Sequence, residues 1–271
     1  MTEAGRQRVL SDQPERMSVS AYFELLMNLT RREVKGRYSQ SLFGASWAIA
    51  QPLAMMAVFT LVFARLGQMP SGGAPYPLFA FAALVPWFFF SNSVNSGTMS
   101  LITYRNIVTK TYFPREIVPI AQVSSRLVDL AAASGLFALL LVYYNVSMTA
   151  WSAMVPVFIA LLVLFTLGTT LLTSALNVFY RDVSPVVQIG LQLWLYLTPV
   201  AYPLSAVPSE YRALFLLNPL TGVVEGLRAV LVFGHSPDWE VVGISTSLIV
   251  ALFLGSFLLF KNTDKYFADV I

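Results

Sequence analysis

The sequence predicts an all-α integral membrane protein with six transmembrane helices, and three observations carry that expectation. The 271 residues are 56% hydrophobic and only 11% charged, with a mean hydropathy of +0.67, against roughly 45–50% apolar and about 25% charged in soluble domains. The apolar residues gather in runs that approach or exceed the ~20 needed to cross a hydrocarbon core of about 30 Å. Lysine and arginine fall unevenly on the two sides of those runs. A soluble fold has no room to bury so much apolar surface, so the bilayer is the solvent.

Residues 1–40 read as a cytoplasmic tail and an amphipathic helix, and residues 41–271 as the membrane domain. In the first part Val19, Tyr22, Phe23, Leu25, Leu26 and Leu29 recur at helical spacing ahead of the basic stretch from Arg31 to Arg37. That pattern suits a helix at the anionic cytoplasmic leaflet, a solvated lead-in being the plainer alternative. Acids and bases alternate here without an apolar h-region or cleavage site, so no cleaved signal peptide is expected.

The spans are expected at Ser46 to Leu66, Pro77 to Gly97, Ile117 to Tyr144, Ala150 to Phe179, Pro185 to Pro203 and Val241 to Phe260. Thirteen basic residues then share one side: seven before the first span, with Arg105, Lys110, Arg115, Arg181, Lys261 and Lys265. The other side holds three, Arg65, Arg212 and Arg228, while Arg126 lies inside a span. The positive-inside rule places both termini in the cytoplasm.

Between the second and third spans, Leu101 to Lys110 fits one short helix, carrying Tyr104, Arg105, Asn106 and Lys110 and set apart from the third span by Pro114. Such a helix can press on a soluble partner; a plain loop is the alternative. The fifth span closes in Thr198-Pro199-Val200-Ala201-Tyr202-Pro203, where two prolines bend or stop a helix and make a hinge at the outer mouth. Beyond it, Pro208 opens one short helix, and Asn218 caps a second with Pro219 at its first position and Gly234 past its end. The pair, Pro208 to Leu217 and Pro219 to Phe233, is too short to span and reads either as re-entrant or gate helices or as an ordinary outer loop.

The chain lacks the parts of an enzyme. None of its four lysines follows a glycine, so it has no Walker-type ATP site; His235 is its one histidine, and it has no cysteine and no G-x-S-x-G. No catalytic residue, metal or cofactor is expected in this chain, and nothing points to nucleic acid. Two arginine–carboxylate pairs stand three residues apart, Arg126 with Asp129 and Glu225 with Arg228. Each reads as a structural ion pair or as something more: contact with a substrate phosphate or neighbouring helix for the first, gate stabilisation for the second. Gly222 and Gly226 form a G-x-x-x-G, a close-packing signal. Tyr143, Tyr144 and Trp151 suit an interfacial belt. Trp87 and Tyr202 read as belt or as path residues, while Trp194 and Tyr196, mid-span beside Gln192, favour the mixed aromatic and polar lining on which sugars stack and hydrogen-bond.

The motifs Gly44-x-x-Trp47 with Gln51-Pro52, Pro75-Tyr76-Pro77, Pro86-Trp87, Tyr112-Phe113-Pro114-Arg115, Asn177-x-x-x-Arg181-Asp182, Leu191-Gln192, Thr198-Pro199-Val200 and Asn218-Pro219-Leu220 through Glu225-Gly226-x-Arg228 occur in that order. From about Leu29 to the C-terminus the chain resembles type 2 ABC permeases of the polysaccharide and polyol-phosphate export family, O-antigen export permeases above all. The resemblance implies a homodimer of six-helix subunits in the bacterial inner membrane, bound to two copies of a separate ABC ATPase that carries the ATP and magnesium. It implies export of undecaprenyl-diphosphate-linked polysaccharide from cytoplasm to periplasm. It implies aromatic channel linings consistent with Trp194 and Tyr196, within a candidate substrate path that the residues themselves suggest along Trp87, Arg126, Asp129, Gln192, Trp194, Tyr196 and Tyr202. ATPase coupling falls to the amphipathic helix and to Tyr104, Arg105, Asn106 and Lys110, and a gate to Asn218, Pro219, Glu225 and Arg228. Teichoic-acid, capsule or small-molecule export by the same fold are the nearer alternatives. A membrane enzyme on lipid-linked sugars, or an ion-coupled transporter, is the farther one.

Overall fold

A computed structural model describes residues 18–39, 44–110 and 113–270. The expected boundary at residues 40 and 41, Tyr112 of the fourth motif, and Arg6, Arg8 and Arg16 of the charge count lie outside the described residues.

Every element among the described residues is helical, and turns join them. In order come α1 (Val19–Tyr38), α2 (Trp47–Leu66), α3 (Tyr76–Thr103), α4 (Arg105–Lys110), α5 (Ile117–Tyr143), α6 (Ala150–Phe179), α7 (Val183–Leu197), α8 (Ser209–Leu216), α9 (Pro219–Phe233), α10 (Trp239–Tyr266) and α11 (Phe267–Val270). Five of them, α2, α3, α5, α6 and α10, are long and apolar enough to cross a membrane. A sixth segment is the pair α8–α9, bent by 100° at Leu217 and Asn218.

The expected fifth span is corrected. Its helix ends at Leu197 rather than Pro203, and its 15 residues reach only ~22 Å at 1.5 Å per residue, short of the ~30 Å hydrocarbon core. The reason is Pro199, which has no N–H to donate and drives Thr198 out of the helical region, to φ −100° and ψ 138°. The expected short helix from Leu101 is also corrected: Leu101 to Thr103 continue α3, Tyr104 breaks the run, and α4 starts at Arg105. The third and fourth spans start and end within one residue of expectation.

Helix α3 is the axis of the bundle, packed by α2, α5, α6, α7 and α9. Its sequence explains the position, because Leu78, Phe79, Phe81, Leu84 and Phe90 point all round it and Ala80, Ala83 and Gly97 let neighbours close in. A helix apolar on every face is a buried one. Three buried hydroxyls inside the spans bond back to their own helix, Thr98 to Val94, Thr166 to Leu162 and Thr169 to Phe165, which pairs these donors without help from outside the helix. The glycine motif in α9 does what its spacing promises: a Cβ at Gly222 would strike Ser245 of α10, and one at Gly226 the ring of Phe158 of α6.

Candidate functional site

Polar chemistry concentrates at the two ends of this bundle. At one end Arg228 of α9 is wholly buried, an expensive place for a charge. Its donors explain it. Nε donates to the carbonyl of Phe79 at 3.1 Å, one terminal nitrogen to Pro199 at 2.5 Å and to Glu225 at 2.9 Å, and the other to Val200 at 2.6 Å. The ring of Phe79 lies against the guanidinium, 3.5 Å from centroid to Cζ. Pro199 and Val200 belong to the turn that ends α7, where helical hydrogen bonds stop. Backbone of that kind survives at membrane depth only when protein supplies its partners, and Arg228 supplies them.

Asn218 completes this end. Its side-chain oxygen accepts from the N–H of Leu220, capping α9, while its amide nitrogen donates to the carbonyl of Leu197 and to the hydroxyl of Thr198. Pro219 occupies the first helical position and Gly234 the left-handed position past the end, φ 69°. One asparagine and one arginine thus fasten α7, its terminal turn and α9 to the head of α3.

At the opposite end α1 lies along α5. One face of α1, including Tyr22, Leu25, Leu26, Leu29, Arg37 and Tyr38, is half-buried, and Val19, Phe23 and Met27 stay exposed on the other. Asp129 of α5 takes hydrogen bonds from Arg37 at 2.9 Å, from Arg126 at 3.2 Å and from the hydroxyl of Tyr38; Arg37 also donates to Ser125 at 2.7 Å. A cavity of about 130 Å³ opens beside this cluster, walled by α2, α3 and α5 through Trp47, Gln51, Phe89, Asn92, Arg126 and Asp129. Burial, and then the bond to Asp129, pushes the Tyr38 hydroxyl up from its ordinary value, so it serves as a neutral donor.

Tyr104 sits where α3 meets α4. Its hydroxyl donates to Glu33 of α1, Arg32 lies 5.5 Å over its ring, and burial followed by the Glu33 bond raises its pKa to about 12. Arg105, Asn106 and Lys110 follow on exposed positions of α4. Asn177 joins the same end, donating to the carbonyl of Thr98 and accepting from the N–H of Ser184, which ties α3 and α6 to the start of α7.

The residues expected along a substrate path separate. Trp87 is buried against Phe90. Trp194 is half-buried, packed edge-on against the core rings of Phe90 and Phe165. Gln192 and Tyr196 lie on the outward face of α7, Tyr196 59% exposed. Tyr202 is half-buried, its hydroxyl donating to the carbonyl of Tyr196 at 2.5 Å and its ring meeting Phe215. Arg126 and Asp129 are brought together with Arg37 and Tyr38, which sequence reasoning passed over as part of a membrane-surface stretch.

These features define a multi-pass membrane protein built as a helical bundle, and comparison with known proteins gives it a family. A family model described as ABC-2 type transporter matches residues 24–232, and the chain belongs to that family. It is 32% identical to an O-antigen export system permease protein, RfbA, of Myxococcus xanthus, over 92% of this chain and 96% of that one. It is 29% identical to a protein of the same description from Klebsiella pneumoniae, over 92% and 95%. A polysialic acid transport protein, KpsM, of Escherichia coli is 22% identical over 83% and 88%. The chain is therefore a transport permease subunit.

Proposed function

We propose that the chain is the membrane half of an ATP-driven exporter, moving undecaprenyl-diphosphate-linked polysaccharide of the O-antigen kind from cytoplasm to periplasm across the bacterial inner membrane. The observation that carries this is its similarity, nearly end to end, to an O-antigen export permease. The capsular reading has weaker support, from relatives at 22% and 23% identity. In this reading two copies associate and the path runs between them, with the outward Gln188, Gln192 and Tyr196 of α7 offering the polar and aromatic contacts a sugar chain needs. Both termini face the cytoplasm, where α1 and α4 meet two copies of a separate ATPase that binds and hydrolyses ATP with magnesium. Tyr104 is placed to relay movement of α4 to α1. On the periplasmic side α8 and α9, held by Asn218, Pro219, Glu225 and Arg228, form the gate.

Deleting the gene in its host and comparing surface glycan with lipid-linked glycan tests the proposal. A bare surface with internal accumulation is expected. Unchanged glycan in both places contradicts it.

A further inference from the structure

The Arg37–Arg126–Asp129 cluster is built with a surplus of positive charge that its own residues do not answer. Asp129 is one carboxylate between two guanidiniums; one of its oxygens already serves both arginines and the other Tyr38. The Nε–H of Arg126 is shielded from solvent and has no partner among the described residues, which costs about 1–3 kcal/mol if nothing else answers it. A structural ion pair would close its donors, as Arg228 does.

Space adjoins the surplus. Arg37 and Arg126 are common walls of the 130 Å³ cavity and of a second, open one of about 470 Å³ that also meets Arg32, Glu33, Ser96, Ser100 and Gln122. Among the described residues, the charged groups lining both cavities are three arginines and two carboxylates, a net single positive charge. Arg126 lies ~14 Å in from the first of the 27 residues of α5, a depth within the span at which a guanidinium calls for an anionic partner. Trp47 and Phe89 supply an apolar wall and Gln51 and Asn92 a polar one. Paired guanidiniums beside amide side chains match the oxygens of a phosphate ester, which Arg binds in forked geometry.

We infer that Arg37 and Arg126, held around Asp129 between α1, α3 and α5, bind the phosphate group of a lipid entering from the adjoining leaflet. The identity of that lipid as a polyprenyl diphosphate rests on the export reading; the phosphate site does not. Asp129, itself held by Tyr38, positions the two guanidiniums through one carboxylate oxygen, a contact that an asparagine oxygen can keep, and its negative charge limits the surplus so that the headgroup is held and then released.

The test uses the permease with its ATPase partner in phosphatidylcholine nanodiscs and follows binding of undecaprenyl diphosphate, undecaprenol and inorganic pyrophosphate to wild type, Arg37→Gln, Arg126→Gln and Asp129→Asn. Undecaprenyl diphosphate should bind about tenfold more weakly to each arginine variant, a loss of ~1.4 kcal/mol, and more tightly to Asp129→Asn, while undecaprenol is indifferent to all three. Tighter binding on losing Asp129 is the result a purely structural pair cannot give. Added phosphatidylglycerol or pyrophosphate that competes equally well would keep the phosphate site and reassign its source to bulk lipid or free anion. Binding unchanged in both arginine variants, or weakened in Asp129→Asn, overturns the site. Normal export in the gene deletion would instead overturn the export reading and leave these binding results standing.

Discussion

The two ends of the bundle carry the same short device, an arginine and a carboxylate three residues apart on a helix, and put it to different uses. Arg228 is 0% exposed, pairs with Glu225 and spends its remaining donors on backbone carbonyls of a broken segment. Arg126 and Asp129 are 20% and 16% exposed, share a third charged partner in Arg37 and leave a donor unpaired beside a cavity. The spacing decides only that the pair can meet. Its surroundings decide whether it closes as a staple or stays open as a site.

The largest effect should come from breaking the closed pair. Arg228→Met strands the carbonyls of Pro199 and Val200 and leaves Glu225 alone, at about 3–5 kcal/mol; thermal unfolding in detergent should show a collapse in folded yield. Next comes Gly226→Ala, which drives a methyl into the buried ring of Phe158 and should cost about 1–3 kcal/mol by the same assay. Asn218→Ala removes the cap of α9 and the ties to Leu197 and Thr198. It should cost about 1–2 kcal/mol and make the α7–α9 junction more open to protease.

The smallest effect belongs to Tyr104 and appears only with pH. Its folded pKa of about 12 lies above the ordinary 10.0, so the folded state holds that proton more tightly. Its contribution is whole below pH ~10 and drains as pH rises towards 12. Unfolding measured from neutral pH to pH 11 should fall less steeply in Tyr104→Phe than in wild type, and identical slopes would remove the Glu33 latch from the account.

Much of this was legible in the sequence where one physical rule acts alone. Apolar run length placed α5 and α6 within one residue, and Asn218, Pro219 and Gly234 marked α9 because capping, proline and left-handed chemistry are local. The fifth span was misjudged because hydropathy continues through Val200, Ala201 and Tyr202, whereas the helix obeys Pro199. Trp194 and Tyr196 looked like one lining because they are close in sequence. Two residues apart on a helix is about 200°, a little over half a turn, so one ring packs against the core and the other faces out. Arg37 was hidden among surface cations, since its meeting with Asp129, 92 residues away, has no local signal. The buried staple at Arg228 was half visible, as its partner Glu225 is local but its carbonyl partners are not.

Arg126→Gln and Arg228→Met, purified side by side and assayed for thermal unfolding and for glycan export in the deletion host, test the comparison most directly. The account predicts that Arg126→Gln folds close to wild type, because Asp129 keeps Arg37 and Tyr38, yet exports poorly, while Arg228→Met fails at folding. Equal destabilisation of the two, or full export by Arg126→Gln, would contradict it.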